Sequence, residues 1–345
     1  MRITLFSLLG VLATTISSAL QAASGFEIES LTNYPVDQPR LQLRIISTAD
    51  TKLFEPLVLA FQRQNPQVEV EYTAVSSTQL MQAISIEGAA FDVAISSAMD
   101  LQIKLANDGF TQAHRSDAVN LLPDWGRWGD LVFSFTQEPA SIVISPDAFD
   151  GLPIPKTRQD LITVLRNNPA RFQGRIGTYD VRSSGLGYLF ATQDARTSET
   201  YWRLTEVMGR LGTRLYCCSS DMIEAVASGE IAVAYNVLGS YAAARDDLSD
   251  RIEIIAPTDF TTLMLRSAVI PANAANPDLA GDFIDHLILS AWSDAGASYF
   301  PFPELVRETG VTSLRPIRLG PGLLVFLDDL KRRSFLQEWE AAVLQ

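Results

Sequence analysis

The alternation of apolar and polar positions sorts the chain into short strands and amphipathic helices. After a polar leader reaching about Arg40, the apolar run LQLRIIS (41–47) predicts a buried strand. TADTKLFEPLVLAFQRQNP follows with apolar residues at helical spacing and stops at Asn65-Pro66, because proline disfavours helical geometry in the residue before it. VEVEYTAV (68–75) alternates with period two, as a half-buried strand does. STQLMQAISIEG then reads as helix, FDVAIS (91–96) as strand, and SAMDLQIKLANDG (97–109) as a helix closed by Gly109. Strands and helices alternating at this spacing predict a parallel α/β sheet.

The pattern changes in the middle of the chain. DLVFSF and ASIVIS are strand candidates on either side of TQEP (136–139), and LPIPKTRQDLITVLRNNP opens a second α/β unit. Thr157 and Asp160 stand at the spacing of a capping box, in which each side chain accepts a backbone N–H of the other end. GRIGTYD, TRLYCC and IAVAYNV read as further strands, separated by helical segments beginning near Ser184, Ser198 and Asp221. A β-rich stretch, RIEIIAPTDFTTLMLRSAVI (251–270), precedes three helical segments, the last within GLLVFLDDLKRRSFLQEWEAAVLQ. These late elements need a sheet to cover, so the chain is expected to cross between two lobes twice, near 133–140 and near 256–266. The expected organisation is a signal segment 1–23, a leader 24–40, a first lobe made of 41–135 with 260–345, and a second lobe of 136–259.

The start of the chain changes where this protein is expected. MRITLFSLLGVLATTISSALQAASG has one Arg, a short apolar stretch from Leu5 to Ile16, and small residues around Ala19, Ala22 and Ala23. That is the pattern of a cleaved secretory signal, and its apolar run is well short of the ~20 residues that span a bilayer. The mature chain is expected to be free and soluble outside the cytoplasm. No cysteine stands at the expected cut, so no lipid anchor is expected. The formal net charge of −13 over 345 residues argues against nucleic acid and against an anionic membrane surface, since both are bound through a surplus of Lys and Arg. A local cleft can still oppose the global sign, which leaves an anionic small ligand open.

Candidate chemistry is sparse. The two cysteines, Cys217 and Cys218, are adjacent. A bridge between neighbours closes a strained ring, and neither C-x-x-C spacing nor a nearby His offers a redox or metal site. The pair is therefore expected to be two small apolar side chains at a strand end. His114 and His286 lie far apart with no ligand spacing and are expected to be surface or hydrogen-bonded core residues. RIGTYDVRSSGLGYLF (175–190) resembles a phosphate-cradling loop, with Gly177, Ser183, Ser184, Gly185 and Gly187, but it lacks the Lys of a nucleotide loop. No G-x-S-x-G elbow occurs, and the pairs Asp246/Asp247 and Asp328/Asp329 read as solvated faces. No enzyme, metal or cofactor is expected.

With these segments in order, the chain resembles the periplasmic substrate-binding proteins of ABC transporters. It is most similar to the branch holding ferric-ion-binding proteins and phosphoglycerate- or sugar-phosphate-type binding components. The likeness rests on LRIISTADTKLFEPLVLAFQRQNPQVEVEY, FDVAISSAMDLQIKLANDG, RIGTYDVRSSGLGYLF, DMIEAVASGEIAVAYNVLGSYA and RPIRLGPGLLVFLDDLKRRSFLQEW, and runs over nearly the whole mature chain. The resemblance implies a two-lobed α/β fold of type II, a mixed sheet flanked by helices in each lobe, with a small-molecule ligand held between the lobes. It also implies a monomer that docks on an ABC permease in the inner membrane; a membrane sensor kinase is the alternative partner.

In such proteins, loops at the carboxyl ends of strands line the cleft. That points to Ser47, Thr48, Ser96 and Ser97 in the first lobe, and to Tyr179, Ser183, Ser184, Asn236, Ser240 and Tyr241 in the second. Most precede a helix, where free N–H groups and the positive end of the helix dipole attract an anion. Ser96 and Ser97 could equally be ordinary N-caps, as could Ser219 and Ser220, whereas the anion-site logic favours ligand contact for Ser183 and Ser184. Arg182 is a candidate counter-charge. The ferric branch ligates iron with adjacent tyrosines after the strand equivalent to IAVAY, whereas AYNVLGSYAAAR holds no such pair. Tyr241 alone cannot satisfy hard Fe(III), so the expectation is an organic anion bearing carboxylate or phosphate, with ferric iron as the alternative cargo.

Overall fold

The computed structural model describes residues 25–296, 298–303, 305 and 313–345; the expected signal segment lies outside them. The first sheet is built from β1 (Ser30–Tyr34), β2 (Leu41–Ser47), β3 (Val68–Ala74), β4 (Val93–Ser96), β5 (Thr111–Gln112), β6 (Arg127–Trp128) and β7 (Val132–Ser134). Its helices are α1 (Thr51–Gln64), α2 (Ser77–Ser85) and α3 (Met99–Asn107). The chain then enters a second sheet through β8 (Glu138–Ile144), α4 (Arg158–Asn167), α5 (Pro169–Phe172), β9 (Ile176–Tyr179), α6 (Gly185–Thr197) and α7 (Thr200–Arg210). It continues through β10 (Arg214–Tyr216), α8 (Ser219–Ala227), β11 (Val233–Leu238), α9 (Gly239–Ala243), β12 (Glu253–Ile255) and β13 (Thr261–Met264). β14 (Ser267–Pro271) and α10 (Pro277–Trp292) return to the first sheet, and β15 (Leu314–Pro316) and α11 (Asp329–Val343) go back to the second.

Both sheets are mixed. The first runs β1-β3-β2-β4-β14-β7-β6, with β2 parallel to β3 and β4, and β14 antiparallel to β4 and β7. The second runs β10-β9-β11-β8-β13-β15, parallel among β10, β9 and β11 and antiparallel where β8 joins β11 and β13. The parallel units are those whose strands alternate with helices, because a parallel return needs a crossover. Helix α1 shows the sequence logic directly: Phe54, Leu57, Val58 and Phe61 recur at helical spacing and all are buried against the first sheet's apolar cluster. In α4, Thr157 and Asp160 form the expected capping box.

Three expectations about organisation change. The leader, set apart from the first lobe in the expected organisation, joins its sheet, since β1 pairs antiparallel with β3 from Ser30↔Ala74 to Tyr34↔Val70. The chain passes between sheets a third time after α10, not only between β7 and β8 and between β13 and β14. The terminal helix, expected with the first lobe, packs on the second: Phe335, Trp339 and Val343 join Leu204 and Met208 of α7 in one buried cluster. Trp339 needs a large apolar seat, and α7 supplies it. Among the described residues no helix is long and apolar enough to cross a membrane.

Candidate functional site

Between the two sheets lies a cleft of about 320 Å³. Its walls are helix starts. Asp50 before α1, Ser76 and Ser77 at α2, Ser97 at the entry to α3, Ser183 and Ser184 at α6, and Cys218, Ser219 and Ser220 at α8 all face it. These five helices run 9 to 14 residues, so each brings a developed dipole. Each start also carries four N–H groups without intrahelical acceptors. Ser76 Oγ accepts from Gln79 N, and Ser184 Oγ accepts from Gly187 N at 3.2 Å. Ser77 Oγ reaches across the gap to accept from Gly185 N at 3.0 Å, so α2 of one lobe caps α6 of the other.

Of the residues expected at the cleft, Thr48, Ser97, Tyr179, Ser183, Ser184 and Tyr241 line it. Thr48 Oγ1 and Ser97 Oγ lie 3.3 Å apart, joining the ends of β2 and β4. The other four sit beneath the wall. Ser47 Oγ accepts from Ala49 N and Ser96 Oγ from Ala98 N, both as turn formers inside the protein. Asn236 occupies a bulge of β11 with φ +64°, a conformation Asn tolerates, and its Nδ2 donates to buried Asp194 at 3.0 Å. Ser240 donates to Glu138 at 2.5 Å. Arg182 is held by Asp180 through Nε at 2.8 Å and Nη2 at 2.7 Å, which neutralises the expected counter-charge.

Residues that the sequence reading passed over supply the rest of the wall. Ser76, Ser77 and Thr78 come from α2, while Glu27 and Glu29 come from the leader, anchored by Glu27 N donating to Gln79 Oε1. Burial, together with Asp50 and Asp221, raises the Glu29 carboxyl above its ordinary range. Asp50 spans the lobes: its N–H donates to Tyr241 Oη at 3.2 Å and its Oδ2 accepts from Ser220 Oγ at 2.7 Å. Burial pushes the Tyr241 phenol up to about 12, and the Tyr179 phenol is raised for the same reason. Tyr179 Oη meets Ser219 Oγ at 2.5 Å, and that oxygen also accepts from Leu238 N.

The cysteine expectation is overturned. Cys217 and Cys218 form a disulfide on the cleft wall. They lie in the turn between β10 and α8, outside any strand, where two successive side chains can be brought side by side. Among the described residues, the one trio of His, Cys, Asp or Glu close enough to share an ion is Cys217, Cys218 and Asp221, and the disulfide engages two of its members. The histidines are satisfied as expected: His114 Nε2 meets Asp285 Oδ1 at 2.8 Å and His286 Nε2 meets Leu57 O at 3.1 Å.

Comparison with known proteins places this architecture. The family model described as bacterial extracellular solute-binding protein matches residues 46–292. The substrate-binding protein of an ABC transporter from Agrobacterium tumefaciens is 30% identical, with a TM-score of 0.85 over 93% of this chain and 100% of its own. AfuA from Actinobacillus pleuropneumoniae, a periplasmic binding protein solved with exogenous fructose-6-phosphate bound, has a TM-score of 0.71 at 16% identity, over 88% of this chain and 99% of its own. Iron-bound HitA from Pseudomonas aeruginosa has a TM-score of 0.63 at 18% identity, over 88% and 99%. At those two identities the likeness shows the fold alone. No curated protein matches the sequence. The fold is the type II periplasmic binding fold, a mixed sheet flanked by helices in each lobe, and the chain belongs to the bacterial extracellular solute-binding protein family.

Proposed function

We propose that the protein captures a small organic anion, bearing phosphate or carboxylate, between its lobes in the periplasm. It then passes the anion unchanged to the permease of an ABC importer, working as a monomer. The observation that carries this reading is the convergence of five helix starts on one cleft. Positive dipole ends and backbone N–H groups from both lobes favour one negative group between them, so the ligand stabilises the closed arrangement by touching both. Thr48, Ser97, Ser183, Ser184 and Tyr241 are the residues to which direct contact is assigned, with Tyr179 as a wall. Glu27, Glu29 and Asp50 on the same wall suit a ligand whose anionic end is followed by hydroxyl or amino groups, because carboxylates accept the hydrogen bonds such groups donate.

The likeness to an ABC-transporter component at 30% identity supports delivery to a permease. The ligand bound to AfuA makes sugar phosphates the first class to try. Nothing in the cleft speaks for a sensing role. Ferric iron is the competing cargo, and the phenols weigh against it, because both phenol oxygens on the wall already have partners within the protein. Thermal melting of the mature protein with glycerol 3-phosphate, fructose 6-phosphate, citrate, neutral sugars and Fe(III) tests the reading. A ligand that binds only the folded state raises the melting temperature. The expected rise comes with a phosphate ester or carboxylate. A rise with Fe(III) or a neutral sugar and none with any anion overturns the proposal.

A further inference from the structure

Cys217 and Cys218 stand on the cleft wall, Cys217 exposed and Cys218 half-buried, and their surroundings suit both redox states of the pair. Cys218 is the N-cap of the nine-residue helix α8, so a thiolate formed there would sit at the positive end of a helix dipole. Cys217 Sγ lies 3.3 Å from Asp221 Oδ2, the acceptor a Cys217 thiol needs once the disulfide is opened. The next two residues hold the cleft together: Ser219 Oγ meets Tyr179, and Ser220 Oγ donates to Asp50 of the opposite lobe. The disulfide thus ties down the start of the helix that bridges the lobes.

We propose that Cys217–Cys218 is a thiol–disulfide exchange site within the solute cleft, reduced by dithiols, and that its reduction weakens solute capture. One thiolate of the dithiol attacks the exposed Cys217 Sγ. The Cys217–Cys218 bond breaks, a mixed disulfide forms at Cys217, and Cys218 leaves as a thiolate at the start of α8. The reductant's second thiolate then attacks the reductant sulfur of the mixed disulfide. That step closes a cyclic disulfide in the reductant and releases Cys217, which takes up a proton and, as a thiol, hydrogen-bonds to Asp221. Two electrons pass to the protein, the dithiol is oxidised, and the proton not retained by Cys218 goes to solvent. Reduction places a negative sulfur beside the bound anion and frees the α8 start from its ring, and both changes lower affinity. The sign of the affinity change rests on the anionic ligand proposed above; the exchange reaction itself does not.

The test uses mature protein kept oxidised or reduced with dithiothreitol, a neutral dithiol that does not compete for an anion site. Iodoacetamide labelling followed by mass spectrometry reports the redox state. Calorimetric titration with glycerol 3-phosphate is expected to show affinity about tenfold weaker in the reduced state, the scale of one lost hydrogen bond to a charged group. Reoxidation restores it, and a Cys217→Ala/Cys218→Ala variant shows one affinity regardless of reductant. Equal affinities in the two states, or cysteines that stay unlabelled in excess dithiothreitol, overturn the proposal. If no phosphate ester or carboxylate binds in either state, the anion reading falls, and hydrogen exchange decides the rest. Faster exchange of the 219–222 amides on reduction supports the site, and unchanged exchange overturns it.

Discussion

Replacing Glu138 by Gln should cost this protein a large share of its stability, because Glu138 pairs with Arg266 where the two crossings meet. Glu138 opens β8 just after the first crossing, and Arg266 lies in the second, between β13 and β14. Both side chains are fully buried, with Nε–Oε1 at 2.9 Å and Nη2–Oε2 at 3.2 Å. Thr136 donates to the same carboxylate at 2.9 Å, Arg266 N donates to Thr136 Oγ1, and Phe135 N donates to Arg266 O. One ion pair therefore fastens both connecting segments side by side. Glu138→Gln keeps the shape but leaves the guanidinium buried without its counter-charge, an arrangement that costs about 3–5 kcal/mol. Among the described residues Arg266 pairs with no other carboxylate and its Nη1 has no hydrogen-bond acceptor, and the aromatic rings of Tyr241 and Phe302, at 5.8 and 5.5 Å, offset only part of the loss. Urea unfolding followed by tryptophan fluorescence should show a lower midpoint at unchanged slope. The double variant Glu138→Leu/Arg266→Met, which removes both charges together, should recover most of the loss. A loss of about 1 kcal/mol or less for Glu138→Gln, the range of exposed pairs, would refute the reasoning.

Two further outcomes follow from a buried carboxyl and from the cleft wall. Burial pushes the Asp100 carboxyl up to about 7, well above the ~3.9 of an unfolded Asp. The folded state then holds that proton more tightly than the unfolded one, so stability falls as pH rises from about 4 to about 7 and levels off above. Asp100→Asn should flatten this slope in melting temperature against pH, and an unchanged slope would sink the assignment. Ser184→Ala removes a cap worth ~1 kcal/mol of stability. If Ser184 also touches the ligand, affinity for a phosphate ester should drop beyond what the stability loss explains; equal binding would leave it a cap alone.

What the sequence conveyed well was local. The helical spacing of Phe54, Leu57 and Phe61 and the Thr157–Asp160 box are set within one or two turns of chain, and both appear as expected. At strand ends the sequence located loops that border the cleft without choosing the side. Ser47 and Thr48, or Ser96 and Ser97, are neighbours whose side chains part company at the turn, one bonding inward and one facing the cleft. That choice depends on turn geometry that no periodicity records. What was missed or misplaced owes its position to distant partners: β1 and β15, not foreseen as strands, pair with β3 and β13, and α11, foreseen as a helix but in the other lobe, packs on α7. These long-range pairings also set the charge of the site, since β1 anchors the segment that carries Glu27 and Glu29 to the wall. The helix starts, legible in the sequence, point to an anion. The carboxylates brought by the leader ask in addition for hydrogen-bond donors on the same ligand. On the anion reading proposed above, an inorganic ion alone would leave those carboxylates facing it unpaired, so that proposal favours an anion carried on a hydroxylated or amino-bearing body.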